Sequence, residues 1–246
     1  MTARLWTFAI AAFLAALFVP AIPAGDKAKP NPATKAEPRM SLQPDPGWLN
    51  RHKGFVDIAK KGDVDVLFIG DSITDAWRGP GAKSTWEKHF VPLKAANFGI
   101  GGDRTQHVIW RLEHGELDGI SPKVAVVMIG TNNTGSESAE QIAEGITGVV
   151  KTIHDKSPKT KVLLLAVFPR SPGAKDAVRG KIAKINETIA KLDDGKMVRY
   201  MDIGPKFLEQ DGTLTKEIMP DFLHLSTKGY EIWGDAIAPT VKEMMK

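Results

Sequence analysis

Apolar residues recur along this chain in short bursts, separated by stretches with a longer period. Five runs are of strand length: VDVLFIG (64–70), KAANFGI (94–100), VAVVMIG (124–130), KVLLLAV (161–167) and MVRYMDI (197–203). Each is rich in Val, Ile, Leu or Phe, or bounded by Gly, Pro and polar residues. They are near-continuous instead of alternating, the pattern of strands covered on both faces of a parallel sheet. Between them apolar positions return every three or four residues. Ile142, Ile146, Val149 and Ile153 form one helical stripe, and Ser138 with Gln141 reads as a capping box at its start. Val178, Ile182, Ile185, Ile189 and Leu192 form a second stripe, and a last helix is expected from near Ser226, carrying Ile232, Trp233 and Ile237. Strand and helix in regular alternation predict βαβ units, hence an α/β fold with a mainly parallel five-stranded sheet and helices on both faces. In such sheets ligands sit beyond the carboxyl ends of the strands, so chemistry is sought just after each apolar run.

The first quarter of the chain does not follow this pattern. Arg4 is followed by no charge until Asp26, and LWTFAIAAFLAALFV (5–19) leads into PAIPAG (20–25). A short basic start, an apolar core and small residues predict a secretory signal, cut after Ala24 or Ala21. The alternative is a retained anchor, although the apolar core is short for a span of roughly 20 residues. Residues 25–47 hold five prolines and few large apolar side chains, which predicts an extended linker. The expected layout is a signal peptide over 1–24, a Pro-rich linker over 25–47 and one catalytic-size domain over 48–246. The localisation expected is secreted or periplasmic, with no stable membrane span once the signal is cut.

Composition narrows the chemistry. The chain of 246 residues is 42% hydrophobic and 25% charged, ordinary values for a globular protein. Its net charge of +4 is spread along the chain without a dense basic run, which argues against a nucleic-acid partner. The absence of cysteine excludes disulfides, thiolate nucleophiles, Cys-ligated metals and a lipoprotein anchor.

Three strand ends carry polar clusters: Gly70-Asp71-Ser72-Ile73-Thr74, then Gly99-Ile100-Gly101-Gly102-Asp103-Arg104, then Gly130-Thr131-Asn132-Asn133. A fourth, Asp221-Phe222-Leu223-His224, lies between the fifth strand and the last helix. Several familiar patterns are absent. The glycines at 99–102 have Arg104 where a dinucleotide fingerprint needs its third glycine, and they follow the second strand. Ser72 has Thr74 where a nucleophile elbow needs glycine. There is no phosphate loop and no HExxH zinc motif. His107 and His114 are seven apart on one expected helix, without a carboxylate at ligand spacing, and read as packing or surface residues.

A serine hydroxyl needs a base to become a nucleophile. Of six histidines, only His224 lies in a strand-to-helix loop with an aspartate three residues before it. Asp221 can then orient that imidazole. A developing oxyanion needs donors, and the N–H groups of Ser72 and Gly102 and the Asn132 side-chain amide are available. Each residue also has a plainer reading: a helix cap at Gly-Asp-Ser, a tight turn at Gly101-Gly102, turn residues at Asn132 and Asn133, a local salt link at Asp221 and His224. The four clusters in one order at strand ends favour the catalytic reading.

Together these blocks, FIGDSIT, NFGIGGDRT, GTNN and DFLHL, resemble the SGNH (GDSL-type) serine hydrolases. The stretch 97–133 is similar to the catalytic subunits of the platelet-activating-factor acetylhydrolase Ib subgroup. The resemblance runs from about Val64 to the C-terminus. It implies a flavodoxin-like three-layer α/β/α sandwich, Ser72 as nucleophile with Asp221 and His224, an oxyanion hole of Ser72, Gly102 and Asn132, and no metal or organic cofactor. Ile73, Thr131 and Leu223 adjoin these residues and are expected to line a short acyl pocket. Trp77 and Arg78 are candidates for the alcohol side, with a core role equally open to Trp77, and Arg104 reads as a surface charge. The expected reaction is ester hydrolysis through an acyl-enzyme, removing acetyl groups from O-acetylated carbohydrates or other small esters. A phospholipid acetylhydrolase and a non-catalytic carbohydrate-binding module are the alternatives. The partners expected are a small-molecule or glycan ester and, as a protein contact, a possible homodimer.

Overall fold

The computed structural model describes residues 30–39 and 45–246. The expected signal peptide and its cleavage points lie outside them. Among the described residues, no helix is long and apolar enough to cross a membrane. Five strands appear where the apolar runs place them: β1 (Val66–Gly70), β2 (Ala95–Gly99), β3 (Val124–Met128), β4 (Lys161–Leu165) and β5 (Val198–Met201). All pair in parallel in the order β2-β1-β3-β4-β5. This is the flavodoxin-like order, whose switch point lies between β1 and β3.

The strands alternate their side chains between two apolar layers. Leu67, Ile69, Val127 and Leu164 face one layer with α1 (Pro46–Lys61), α4 (Thr105–Arg111), α5 (Ala139–Lys156) and α6 (Ala177–Ile189). Phe68, Val126, Leu163 and Leu165 face the other, with α3 (Pro80–His89) and α7 (Thr227–Met244). β1 and β3 are buried at every position, which is why their sequences carry no polar alternation. The helix starts follow their caps. Ser138 and Gln141 form the capping box of α5, and the Ser226 hydroxyl accepts the Gly229 N–H at the start of α7.

The N-terminal boundary differs from the expectation. Residues 25–47 were expected as an extended linker before a domain at 48, but the compact unit runs Asn31–Lys246. The Asn31 amide donates to Gln141 O at 3.0 Å and to Glu144 at 2.8 Å, and the Glu37 N–H reaches Gln106 O. Ala33 is fully buried, and its carbonyl accepts the Thr105 hydroxyl at 2.7 Å. Gly145 makes room: a Cβ there would lie 2.8 Å from Ala33 O and 2.5 Å from Thr105 Oγ1. Such docking uses small residues and backbone hydrogen bonds, so a hydropathy pattern does not register it. Helix α1 likewise starts earlier than 48, at Pro46, because Asp45 accepts the N–H groups of Gly47 and Trp48.

Candidate active site

Ser72 opens a four-residue helix, α2 (Ser72–Asp75), directly after β1. Glycine is required around it. A Cβ on Gly70 would overlap Thr74 Oγ1 and Met128 O, and one on Gly99 would overlap the backbone of Thr74 and Asp75. These two glycines let the helix carrying Ser72 close onto the ends of β1 and β2. Asp71 caps that helix by accepting the Ile73 N–H at 3.0 Å, and the Tyr230 hydroxyl donates to Ile73 O at 2.7 Å.

His224 comes to Ser72 from the other end of the sequence. Its Nε2 lies 2.9 Å from Ser72 Oγ, and its Nδ1 lies 2.6 Å from Asp221 Oδ2. Asp221 Oδ1 accepts the backbone N–H groups of His224 and Leu223 at 2.7 and 3.1 Å. Partial burial works to raise the Asp221 carboxyl, but the His224 ring N–H and the two backbone N–H groups outweigh it and hold the carboxyl below its usual range. An ionised Asp221 keeps the proton on Nδ1 and leaves Nε2 with its lone pair toward Ser72. The turn is held by Phe222, in a left-handed conformation (φ 59°), whose carbonyl accepts the Ser171 N–H at 2.9 Å.

The other two clusters meet beside Ser72. A Cβ on Gly101 would sit 3.7 Å from Ser72 Cβ, and Gly102 is exposed with φ 80°, a glycine conformation. The Asn132 side-chain amide donates to Asp103 O at 2.8 Å, tying the β3 loop to the residue after Gly102. Asn133 Oδ1 accepts the Thr105 N–H at 3.1 Å, a second stitch between the same loops. The geometry thus joins Ser72, His224 and Asp221 directly, sets Gly101 against Ser72, and ties Asn132 to Asp103, one residue past Gly102.

The flanking expectations divide. Ile73 is buried in the second apolar layer, Thr131 is buried with its Oγ1 3.4 Å from an Arg170 nitrogen, and Leu223 is half-buried against the same layer as Ile73. Trp77 is a core residue packed on Tyr230 and Trp233, not an alcohol-side group. Arg78 turns to the edge of β2, where it pairs with Asp75 and donates to Asn97 O. His107 and His114 share no metal site. His107 Nδ1 accepts the Arg104 N–H at 3.1 Å, whereas His114 stacks on Trp110 with ring centroids 3.9 Å apart. Among the described residues, no three His, Asp or Glu side chains gather in a group that could hold a metal ion.

A buried polar network under Gly102 has no counterpart in the sequence reading. Arg111, fully buried, donates to Asp103 Oδ2 at 2.9 Å and to Glu116 Oε2 at 2.5 Å. Trp48 Nε1 donates to Asp103 Oδ1 at 2.6 Å, and His52 Nδ1 lies 3.0 Å from Glu116 Oε1. Burial pushes the Asp103 carboxyl up to about 6, only partly offset by Arg111 and Trp48. Burial also opposes the Arg111 charge, but two carboxylates face that one cation and together raise its pKa. Asp71, next to the nucleophile, is also fully buried. Burial pushes its carboxyl up to about 7, against the Ile73 N–H that favours the charge, and its Oδ2 has no hydrogen-bond partner. The signals were polar residues at 52, 103, 111 and 116, spaced too widely to be recognised as one cluster.

A parallel sheet with a Ser-His-Asp line at the carboxyl ends of its strands is the arrangement of an α/β hydrolytic enzyme. Comparison with known proteins agrees. The model of the GDSL-like Lipase/Acylhydrolase family matches residues 68–232, and the chain belongs to that family, which makes it a carboxylic ester hydrolase. It is 41% identical over 201 residues to the platelet-activating factor acetylhydrolase IB subunit alpha1 of Homo sapiens, covering 81% of this chain and 85% of that one. The alpha2 subunit of Gallus gallus is likewise 41% identical, over 81% of this chain and 86% of its own length. Among solved structures, a putative acylhydrolase from Bacteroides fragilis shares the fold with a TM-score of 0.68 at 20% identity, over 83% of this chain and all of that one. An acetylxylan esterase from Geobacillus stearothermophilus does so with a TM-score of 0.59 at 20% identity, over 74% and 96% of the two chains.

Proposed function

We propose that this ester hydrolase removes short acyl groups, acetyl above all, from O-acetylated carbohydrates or other small esters, with Ser72 as nucleophile. The observation that carries the reading is the unbroken line from Ser72 Oγ through His224 to Asp221, at 2.9 and 2.6 Å. His224 Nε2 takes the hydroxyl proton as Ser72 Oγ bonds to the ester carbonyl carbon. The carbonyl electron pair moves onto oxygen, where the N–H groups of Ser72 and Gly102 and the Asn132 amide receive it. The carbon–oxygen bond to the alcohol then breaks, and the alcohol leaves with the proton from His224. Water, activated by the same imidazole, releases the acyl group from Ser72. Ile73, Thr131 and Leu223 adjoin Ser72, Asn132 and His224 in the sequence, and the acetyl preference is proposed from that adjacency, with Leu223 the one of the three that is not fully buried. A homodimer and an exported, signal-cleaved form belong to the same proposal, the latter supported by the apolar run at 5–19.

The second reading is a phospholipid acetylhydrolase of the platelet-activating-factor type, favoured by the 41% identity to relatives of that name. An intact triad geometry in an acylhydrolase family leaves the non-catalytic carbohydrate-binding reading without support. The test compares the purified protein with Ser72→Ala on p-nitrophenyl acetate, butyrate and octanoate. Turnover fastest on acetate and lost in the variant supports the proposal. Octanoate cleaved faster than acetate refutes the acyl assignment, and full activity in Ser72→Ala refutes the nucleophile. Acetylated xylo-oligosaccharide against an sn-2-acetyl phospholipid then separates the two readings by kcat/KM.

A further inference from the structure

The arm expected as a linker ends at the oxyanion glycine. Arg39 Nη1 donates to Gly101 O at 2.6 Å, and a Cβ on Gly102 would lie 3.1 Å from that same nitrogen. The arm therefore delivers a guanidinium to the residue expected to hold the oxyanion. Around it lies a cavity of about 510 Å³ lined by Glu37, Pro38, Arg39, Gly102, Arg104, Gln106 and His107. A second guanidinium, Arg104, enters it from the start of α4. Arg104 Nη1 donates to Ser136 Oγ at 3.1 Å and lies 3.5 Å from Glu137, which anchors one edge of the group. Arg39 is anchored in the same way, with Nε 3.4 Å from Asp45. Each arginine side chain nevertheless keeps 38% of its surface exposed.

Asp45 and Glu137 each pair with one of these arginines, so the cavity offers two open guanidinium faces and not an unopposed charge. Glu37 is the one carboxylate in the lining, and it is paired with Lys35 at 3.4 Å. His107 is pushed down to about 4, by burial first and then by Arg104, Arg39 and Arg111, so it is neutral at pH 7. Two anchored guanidinia with open faces suit a planar or tetrahedral oxyanion.

We infer that Arg39 and Arg104 form a subsite for an anionic group, a carboxylate or a phosphate, carried on the alcohol part of the ester. The inference rests on the proposed hydrolysis at Ser72 and adds the charge of its substrate. The arm is then a working wall of the site, and Arg39 a specificity residue that the chain supplies from outside its sheet. Arg39 lies against Gly101 and Gly102, so an anion held there stands beside an ester bound at Ser72.

The experiment uses paired esters that differ in one anionic group. For the carboxylate arm these are acetylated methyl glucuronic acid and acetylated methyl glucoside. For the phosphate arm they are 1,2-diacetylglycerol 3-phosphate and 1,2-diacetylglycerol. The purified protein is expected to show a kcat/KM at least tenfold higher for the anionic member of one pair or both, falling with added NaCl through KM while kcat holds. Preference in one pair alone identifies which anion the subsite takes. Arg39→Met and Arg104→Met each lower the anionic-to-neutral ratio at least fivefold, and Arg39→Lys restores part of it. Arg104 lies on a different element from the arm, so its variant decides the matter if Arg39→Met fails to fold. Equal kcat/KM within both pairs, or a ratio that neither Met variant moves, overturns the inference. p-Nitrophenyl acetate separates the failures: turnover lost in Ser72→Ala, together with flat ratios, removes the subsite and leaves the hydrolysis standing.

Discussion

Arg111→Met removes the guanidinium from the buried network beneath Gly102, the expected oxyanion donor. Arg111, Asp103 and Glu116 are each 0% exposed, so no water replaces the lost guanidinium. Two carboxylates are left facing each other, with the Trp48 N–H on one and His52 on the other. Breaking a buried pair in this way costs about 3–5 kcal/mol, because the remaining charge stays desolvated. In a domain of this size each kcal/mol lowers Tm by about 2–4 °C, so a loss on the order of 10 °C is expected. The loss depends on pH in a fixed direction. Burial already raises the Asp103 carboxyl to about 6 with Arg111 present, and without Arg111 it rises further. Between about pH 4, where an unfolded carboxylate titrates, and that raised value, the folded variant binds more protons than the unfolded chain. Stability of the variant therefore falls as pH rises through this window; the native protein shares that fall up to about pH 6, so the deficit opens above it and is smaller at pH 5 than at pH 8. Urea denaturation of both proteins at the two pH values reads it directly. A deficit below 1 kcal/mol at pH 8, or one as large at pH 5 as at pH 8, refutes the reasoning. The same variant lowers kcat, since the Asp103 carbonyl holds the Asn132 amide in place.

Asn132→Ala removes an expected oxyanion donor; kcat on p-nitrophenyl acetate should fall about 100- to 1000-fold with little change in KM. A loss of less than tenfold assigns the amide to loop structure only. Asp71→Asn tests the buried carboxyl beside the nucleophile, which burial raises to about 7. The folded protein holds that proton between about pH 4 and 7 while the unfolded chain does not, so the native protein loses up to about 1.4 kcal/mol per pH unit across the window. Asp71→Asn lacks this slope, and its Tm should gain on the native protein from pH 5 to pH 8; a constant gap refutes the assignment.

The sequence by itself determined the elements and the residue types of the site. The five apolar runs became five strands because β1 and β3 are buried on both faces, leaving no polar alternation to blur them. The Ser138 and Ser226 caps set two helix starts because capping is a local matter of a hydroxyl and an N–H three residues on. The four polar clusters were legible because each lies in a short contiguous stretch. Tertiary structure decided what those stretches do together. Sequence spacing gives no measure of the 2.9 Å between Ser72 and His224, 152 positions apart; the sheet order and the docking of α7 set it. It also decided Trp77, which a helical period places equally well toward core or substrate, and the Arg111 network, whose members are too far apart in the chain to form a motif. The arm shows the limit most plainly. A proline-rich segment reads as a spacer because its side chains bury little, yet Ala33 and Arg39 dock through backbone carbonyls into a gap kept open by Gly145 and onto the bare backbone of Gly101 and Gly102. Those contacts depend on the space other elements leave, and that space exists only once the chain has folded.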